Sequence, residues 1–271
     1  MTNSACQVYD DNMRDENRIS YGRAARLRVV LAELAADISD YSSGIVSTYA
    51  DGDARGGEYA EMANRVAGNA RELLTLAVAY ERQRGTSWEV IGETLGTTRQ
   101  SAHERYAAAV KQLDEALTES WLLGDDPRFP GLPAGASDPA DTAGLLDRWV
   151  ISHLAETDAL AHKPADDPDR VHPVSGHLKP LDTLEHSSLA MSGAELISER
   201  FKRDGLDDPK ARLLEHGLAR RKVELYERMI ADQAGGINRG TDTDTLRDLL
   251  AGARARLADL EQSALETEAG Q

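Results

Sequence analysis

The chain has a single cysteine, Cys6. No disulfide can form within it, and a reducing compartment is the natural setting. Aromatic residues are scarce, at 5% of 271 residues. Ala and Leu therefore fill most apolar positions, which suits packed helices, because both lose little side-chain entropy there. No stretch approaches the roughly 20 consecutive apolar residues that span a bilayer, so no membrane segment is expected. The first thirty residues carry charges throughout and lack an apolar core, so no secretory leader is expected and a cytoplasmic location follows. Catalytic signatures are missing too. There is no phosphate-cradling G-x-x-x-x-G-K-[ST] loop, no dinucleotide fingerprint, no H-E-x-x-H and no G-x-S-x-G elbow. Scattered Ser, His and Asp residues establish nothing without geometry. Neither an enzyme nor a cofactor is expected.

Positive charge is also in deficit. The formal net charge is −16, and an acidic excess repels phosphate at long range. Its distribution is uneven. Residues 121–271 hold 28 acidic against 18 basic residues, a net −10. Residues 82–111 hold five basic residues (Arg82, Arg84, Arg99, Arg105, Lys111) against Glu89, Glu93 and Glu104, a local +2. Any nucleic-acid contact here should be of modest affinity and strongly salt-dependent.

What the chain does have is helical periodicity. The expected fold is all-α: an N-terminal helical bundle containing a helix-turn-helix, plus a C-terminal antiparallel helical hairpin. Residues 1–22 read as a loose tail. Leu27, Leu31, Leu34, Ile38, Tyr41 and Ile45 form one amphipathic stripe, and Tyr59, Ala63, Val66, Ala70, Leu73, Ala77 and Tyr80 form a second. Glycines at 52, 56 and 57 separate them, so the two helices should lie antiparallel. Such stripes pack equally well within a chain or between two copies, so a homodimer seam stays open. Arg23, Arg26 and Arg28 cluster on the first helix, either as a solvated face or against DNA backbone. Residues 124–140, with four prolines and three glycines, read as a loop, and a short helix over 141–154 presents Leu146, Trp149, Val150 and Leu154. This first domain is placed at 23–156. Trp88, Trp121 and Trp149 read as core residues.

Residues 157–190 read as a linker. His162, His172 and His177 fall in it, and their spacing matches no common zinc pattern. A solvated flexible linker is expected there, with no metal. Residues 191–271 follow as a dimerisation or partner-binding hairpin. A helical stretch near 192–203 precedes one with Leu214, Leu218, Leu225 and Met229. The last carries Leu246, Leu250, Ala253, Leu257, Leu260 and Ala264, spaced alternately four and three apart. Gly235, Gly236 and Gly240 mark the joint. An exposed leucine stripe needs a cover: the body of this protein, a second copy or another protein.

Residues 86–106 read T-S-W-E-V-I-G-E-T-L-G-T-T-R-Q-S-A-H-E-R-Y. Ser87 can cap a short helix whose Trp88, Ile91 and Leu95 face inward. Gly92 falls where two helices approach closely, and Gly96 suits the positive φ of a helix end. Thr98 can cap a second helix, running to about Leu117, with Ala102 and Tyr106 turned to the core. Arg99, Gln100 and His103 are left on its outer first turns, where a recognition helix meets base edges. Arg suits the O6/N7 edge of guanine and Gln the N6/N7 edge of adenine. Glu104 could accept from cytosine N4. Thr97, Thr98, Arg105, Arg82 and Arg84 are candidates for phosphate contacts.

This run resembles the helix-turn-helix of sigma factor region four and related regulators of actinobacterial type, whose pattern is roughly S-W-x-x-I-G/A-x-x-L-G-V/T-S/T-R-Q-A/S-A-x-x-R-F/Y. The likeness covers about twenty residues. It implies double-stranded DNA binding through Arg99, Gln100 and His103, in a bacterial, nucleoid-associated transcriptional regulator. No promoter-melting segment accompanies it, so a complete sigma factor is not expected. The alternative is an acidic helical adaptor in which the helix-turn-helix is only a scaffold. A chromosome-organising protein with little sequence preference is a third reading.

Overall fold

The computed structural model describes residues 20–46, 48–49, 51–124, 132–205, 208–235 and 242–269. Most of the expected tail, with Cys6, lies outside them. So do residues 125–131 of the first loop, and Gly236 and Gly240 of the C-terminal joint.

The fold is all-α. Among the described residues there are ten α-helices, and the one β feature is an isolated bridge between Tyr21 and Pro180. In order the helices are α1 (Arg23–Val46), α2 (Glu58–Gln83), α3 (Trp88–Thr94), α4 (Arg99–Leu123) and α5 (Ala134–Ser137). They continue as α6 (Pro139–Ser152), α7 (Pro168–Val171), α8 (Thr183–Asp204), α9 (Pro209–Ala234) and α10 (Thr243–Ala269). None is long and apolar enough to cross a membrane.

Helix α4 is the axis of the molecule. Its first turns bury Ala102 and Tyr106 against Val78 of α2 and Ile91 of α3. Its middle puts Leu117 among Leu27 and Val30 of α1, Leu76 and Ala79 of α2, and Ala136 of α5. Its end sinks Trp121, Leu122 and Leu123 among Leu189 and Ile197 of α8 and Leu214, Leu218 and Leu225 of α9. Leu117 and Leu122 are 1% and 0% exposed. Each such leucine contributes roughly 1.5–3 kcal/mol by leaving water.

The last carbonyls of a helix lack partners within it. Here arginines from α9 supply them: Arg221 donates Nε–H to the Trp121 carbonyl at 2.8 Å, and Arg220 reaches that of Leu122 at 3.4 Å. Cations at a helix C-terminus also suit its dipole. Residues of the second half are thus packed and hydrogen-bonded to the first. Helix α10 lies along α9, with Leu246 buried and Leu250, Ala253, Leu257 and Leu260 half-buried. Arg254–Glu227 at 2.7 Å and Arg256–Glu215 at 2.6 Å tie the pair. The expected leucine stripe therefore has at least one cover within the chain.

Several expectations need correction. The inward stripe of α2 is Met62, Val66, Asn69, Leu73, Leu76 and Tyr80, whereas Ala63 and Ala70 are exposed. Alanine buries little apolar area, so burying the longer side chains instead gains more. Arg23 and Arg26 are neither a solvated face nor free for DNA, being 9% and 7% exposed. Arg23 reaches Asp114 at 2.7 Å and the hydroxyls of Ser188 and Ser192. Arg26 donates to the Ala136 carbonyl at 2.6 Å and the Ser120 hydroxyl at 2.9 Å. A guanidinium is tolerated inside when acceptors surround it. Arg28 alone of the three is exposed. Helix α6 starts at Pro139, two residues early, because Asp138 caps it by accepting from the Asp141 amide at 3.2 Å.

The stretch 157–190 carries short helical turns at Ala159–His162, α7 and Ser175–His177, and α8 begins within it. Val174 and Leu178 pack on a small core of Val29, Ala36, Ala143 and Leu146. Its anchor is Asp147 of α6, whose carboxylate accepts from the Val174 and Ser175 amides at 2.7 and 3.0 Å and from the Ser175 hydroxyl. Burial alone pushes the Asp147 carboxyl up. The bonds from Ser175 and Val174, with His172 beside them, outweigh that and leave it below the usual range.

A depressed folded pKa stabilises the fold above the unfolded value, near 3.9, and this contribution disappears as pH falls through the folded value. Asp147→Ala is expected to cost about 2 kcal/mol near neutrality, by stranding the half-buried donors of Val174 and Ser175. In urea titrations the gap to wild type should narrow as the pH is lowered toward about 3. A gap independent of pH would refute the charged anchor.

Candidate helix-turn-helix surface

Helices α3 and α4 are joined by residues 95–98. Both starts are capped as the sequence suggests. The Ser87 hydroxyl accepts from the Val90 amide at 3.3 Å, and the Thr98 hydroxyl from the Ser101 amide at 3.1 Å. Gly96 takes φ +65°, a left-handed conformation that side chains disfavour. The Thr97 amide donates back to the Gly92 carbonyl at 2.9 Å, folding the turn onto α3. At Gly92 a side-chain carbon would lie 3.0 Å from the Arg99 nitrogen and 3.1 Å from the Thr97 carbonyl oxygen. Only a bare Cα lets the turn pass so close.

This packing turns one end of α4 to solvent. Arg99, Gln100 and His103 are all exposed on its first two turns, with Ala102 and Tyr106 buried behind them. Arg99 has no ion pair among the described residues. Gln100 donates its amide to the Glu104 carboxylate at 2.8 Å, so an acid shares the outward face. The His103 ring meets the Trp88 ring edge-on, with centroids 5.3 Å apart. Arg82 lies over the same indole at 5.0 Å and donates to the Thr86 carbonyl at 2.5 Å. Trp88, only half-buried, thus joins α2, α3 and α4 at the surface. It packs on the core of Val78, Ile91, Ala102 and Tyr106, as the sequence suggests, but its surface contacts with Arg82 and His103 were not legible there.

The expected phosphate-contacting residues are distributed around this end. Thr97 and Thr98 sit in the turn, and Thr98 is committed to its cap. Arg105 is exposed beside the Tyr106 ring, at 5.5 Å. Arg84 pairs with Glu81 at 3.3 Å and lies over Tyr80. No family model, curated protein or solved structure matches the chain. Among the described residues no three His, Cys, Asp or Glu side chains gather as metal ligands would. His172 and His177 face Asp147 and Asp169 instead, at 3.6 and 3.2 Å.

Proposed function

We propose that the protein is a helix-turn-helix DNA-binding regulator that inserts the first turns of α4 into the major groove of duplex DNA. The observation that carries this is the exposure of Arg99, Gln100 and His103 at the start of one capped helix, with Ala102 and Tyr106 buried behind them. Arg99 supplies a fork for guanine. The Gln100 amide oxygen is left to accept, because its nitrogen donates to Glu104. Thr97, Arg105, Arg82 and Arg84 flank the groove-facing turns as phosphate contacts, Thr98 is held by its cap, and the α4 N-terminus adds its dipole. One such unit reads few bases. Two copies on half-sites about 34 Å apart would supply the missing specificity.

The test is selection from a randomised duplex pool, with Arg99→Ala/Gln100→Ala as control. Wild type is expected to enrich a motif, and the double variant to lose it, at about 1–3 kcal/mol per lost base contact. A repeated half-site would show the dimer. One observation favours the adaptor reading: Glu104 stands on the outward face of a strongly acidic chain. No enrichment even at low salt would sink the regulator reading.

A further inference from the structure

At the far end of α4 lies a cleft of about 270 Å³. It is lined by Trp121 of α4, His186 of α8, Glu224 and Arg228 of α9, and Ser20 and Pro180 from the segments preceding α1 and α8. Those two segments are held together by the Leu181 amide donating to the Ser20 carbonyl at 2.8 Å. Trp121 is 5% exposed, and its indole N–H has no acceptor. Leaving a buried donor unpaired is costly. Buried polar groups in folded proteins nearly all have partners, so one without asks for an explanation.

The other groups indicate what would bind. Arg228 is exposed at the cleft and has no ion pair among the described residues. Glu224, the cleft's carboxylate, is engaged by Arg221 at 2.8 Å. The His186 Nε2–H donates to the Arg221 carbonyl at 3.1 Å, which leaves Nδ1 as an acceptor, and burial pushes the ring's pKa down. Pro180 is exposed and offers a flat apolar surface, whereas Trp121 shows the cleft little, its ring lying under the Arg221 guanidinium at 5.5 Å and against the His186 ring at 5.2 Å. Donors from Arg228 and Ser20 thus border a small space whose own acid is already paired, with the unpartnered Trp121 indole N–H buried in its wall.

We propose that this cleft binds a small monocarboxylate with a flat apolar body, of roughly ten heavy atoms, as an effector. The carboxylate pairs with Arg228 and the body lies against Pro180, beside the edge of the cleft that Trp121 lines. Trp121 and Arg99 share one continuous helix, about six turns apart. Occupancy at Trp121 changes how Arg220 and Arg221 hold the α4 terminus, and so how α4 presents its first turns. This effector role rests on the DNA-binding reading; the binding of the carboxylate does not.

The experiment titrates benzoate into the full-length ¹⁵N-labelled protein without DNA and follows the three tryptophan indole resonances, with Trp121→Phe used for assignment. The Trp121 signal is expected to move while those of Trp88 and Trp149 stay. Arg228→Ala should weaken binding about tenfold, the loss of one charge-assisted pair. No movement at millimolar benzoate, or the same affinity in Arg228→Ala, would overturn the site. With a selected duplex in hand, benzoate should change its affinity severalfold. An unchanged affinity while Trp121 still responds would overturn the effector role. If no duplex is selected, the titration alone still decides whether the site exists.

Discussion

Gly217→Ala should be among the most damaging single changes available to this protein. A side-chain carbon at Gly217 would sit 2.3 Å from the Leu122 carbonyl oxygen and 2.9 Å from its carbon. Both are backbone atoms of the last turn of α4, so no side chain can rotate away. Helix α9 must instead lift off α4. That lift also strains the bonds from Arg221 and Arg220 to the terminal carbonyls of α4, at 2.8 and 3.4 Å. Overpacking and weakened charge-assisted bonds together should cost about 3 kcal/mol or more in urea denaturation. Gly68→Ala is the control. Gly68 lies in the exposed part of α2 with nothing within 4 Å of the added carbon. There alanine should stabilise by up to about 1 kcal/mol, from helix propensity alone. Opposite signs for one chemical change would show that contact, not propensity, decides at Gly217. A Gly217→Ala protein as stable as wild type would mean that α9 does not cross α4 at this residue.

The sequence held local features well and distant ones poorly. The Ser87 and Thr98 caps, the left-handed Gly96 and the tight Gly92 were legible because each is settled within a few residues. The stripes of α1, α9 and α10 were legible because they keep a helical period. The start of α8 at Thr183, nine residues before the expected helical stretch, had a local signal too. Asp182 precedes Glu185 by three and accepts from its amide at 2.8 Å. The proline- and histidine-rich composition just upstream outweighed it. Arg23 and Arg26 could not be placed from the sequence. Their acceptors lie about a hundred residues away or more, on α4, α5 and α8. Gly217 carried a weak sign, a lone glycine inside a helical pattern, which often marks close approach of another backbone. Which backbone it meets depends on the tertiary fold. At the candidate site, exposure of Arg99, Gln100 and His103 followed from the positions of Ala102 and Tyr106. The Gln100–Glu104 bond and the Arg82–Trp88–His103 contacts needed coordinates, since rotamers choose among several neighbours.

Gly92→Val is expected to separate the scaffold of the proposed DNA surface from its readers. Even the first side-chain carbon would lie 3.0 Å from the Arg99 nitrogen and the Thr98 carbonyl carbon. The two methyl groups of valine then need space that the turn occupies. Residues 97–99 must move outward, which pulls Thr98 from the Ser101 amide it caps and swings Arg99 and Gln100 away from their present face. The small core of Val78, Ile91, Ala102 and Tyr106 opens with it. The expected cost is about 2–3 kcal/mol in urea denaturation, with loss of all motif enrichment from a duplex pool. Arg99→Ala should behave differently. Arg99 is exposed and unpaired among the described residues, so its removal should leave stability within about 0.5 kcal/mol of wild type. Enrichment should still weaken, most at the single base that Arg99 reads. A regulator thus predicts two ways to lose DNA, one through the turn and one without touching it. If Gly92→Val destabilises while Arg99→Ala leaves the enriched motif unaltered, the turn is real but α4 does not read bases through Arg99. If Gly92→Val changes neither stability nor selection, the close approach of α3 to the turn is itself wrong.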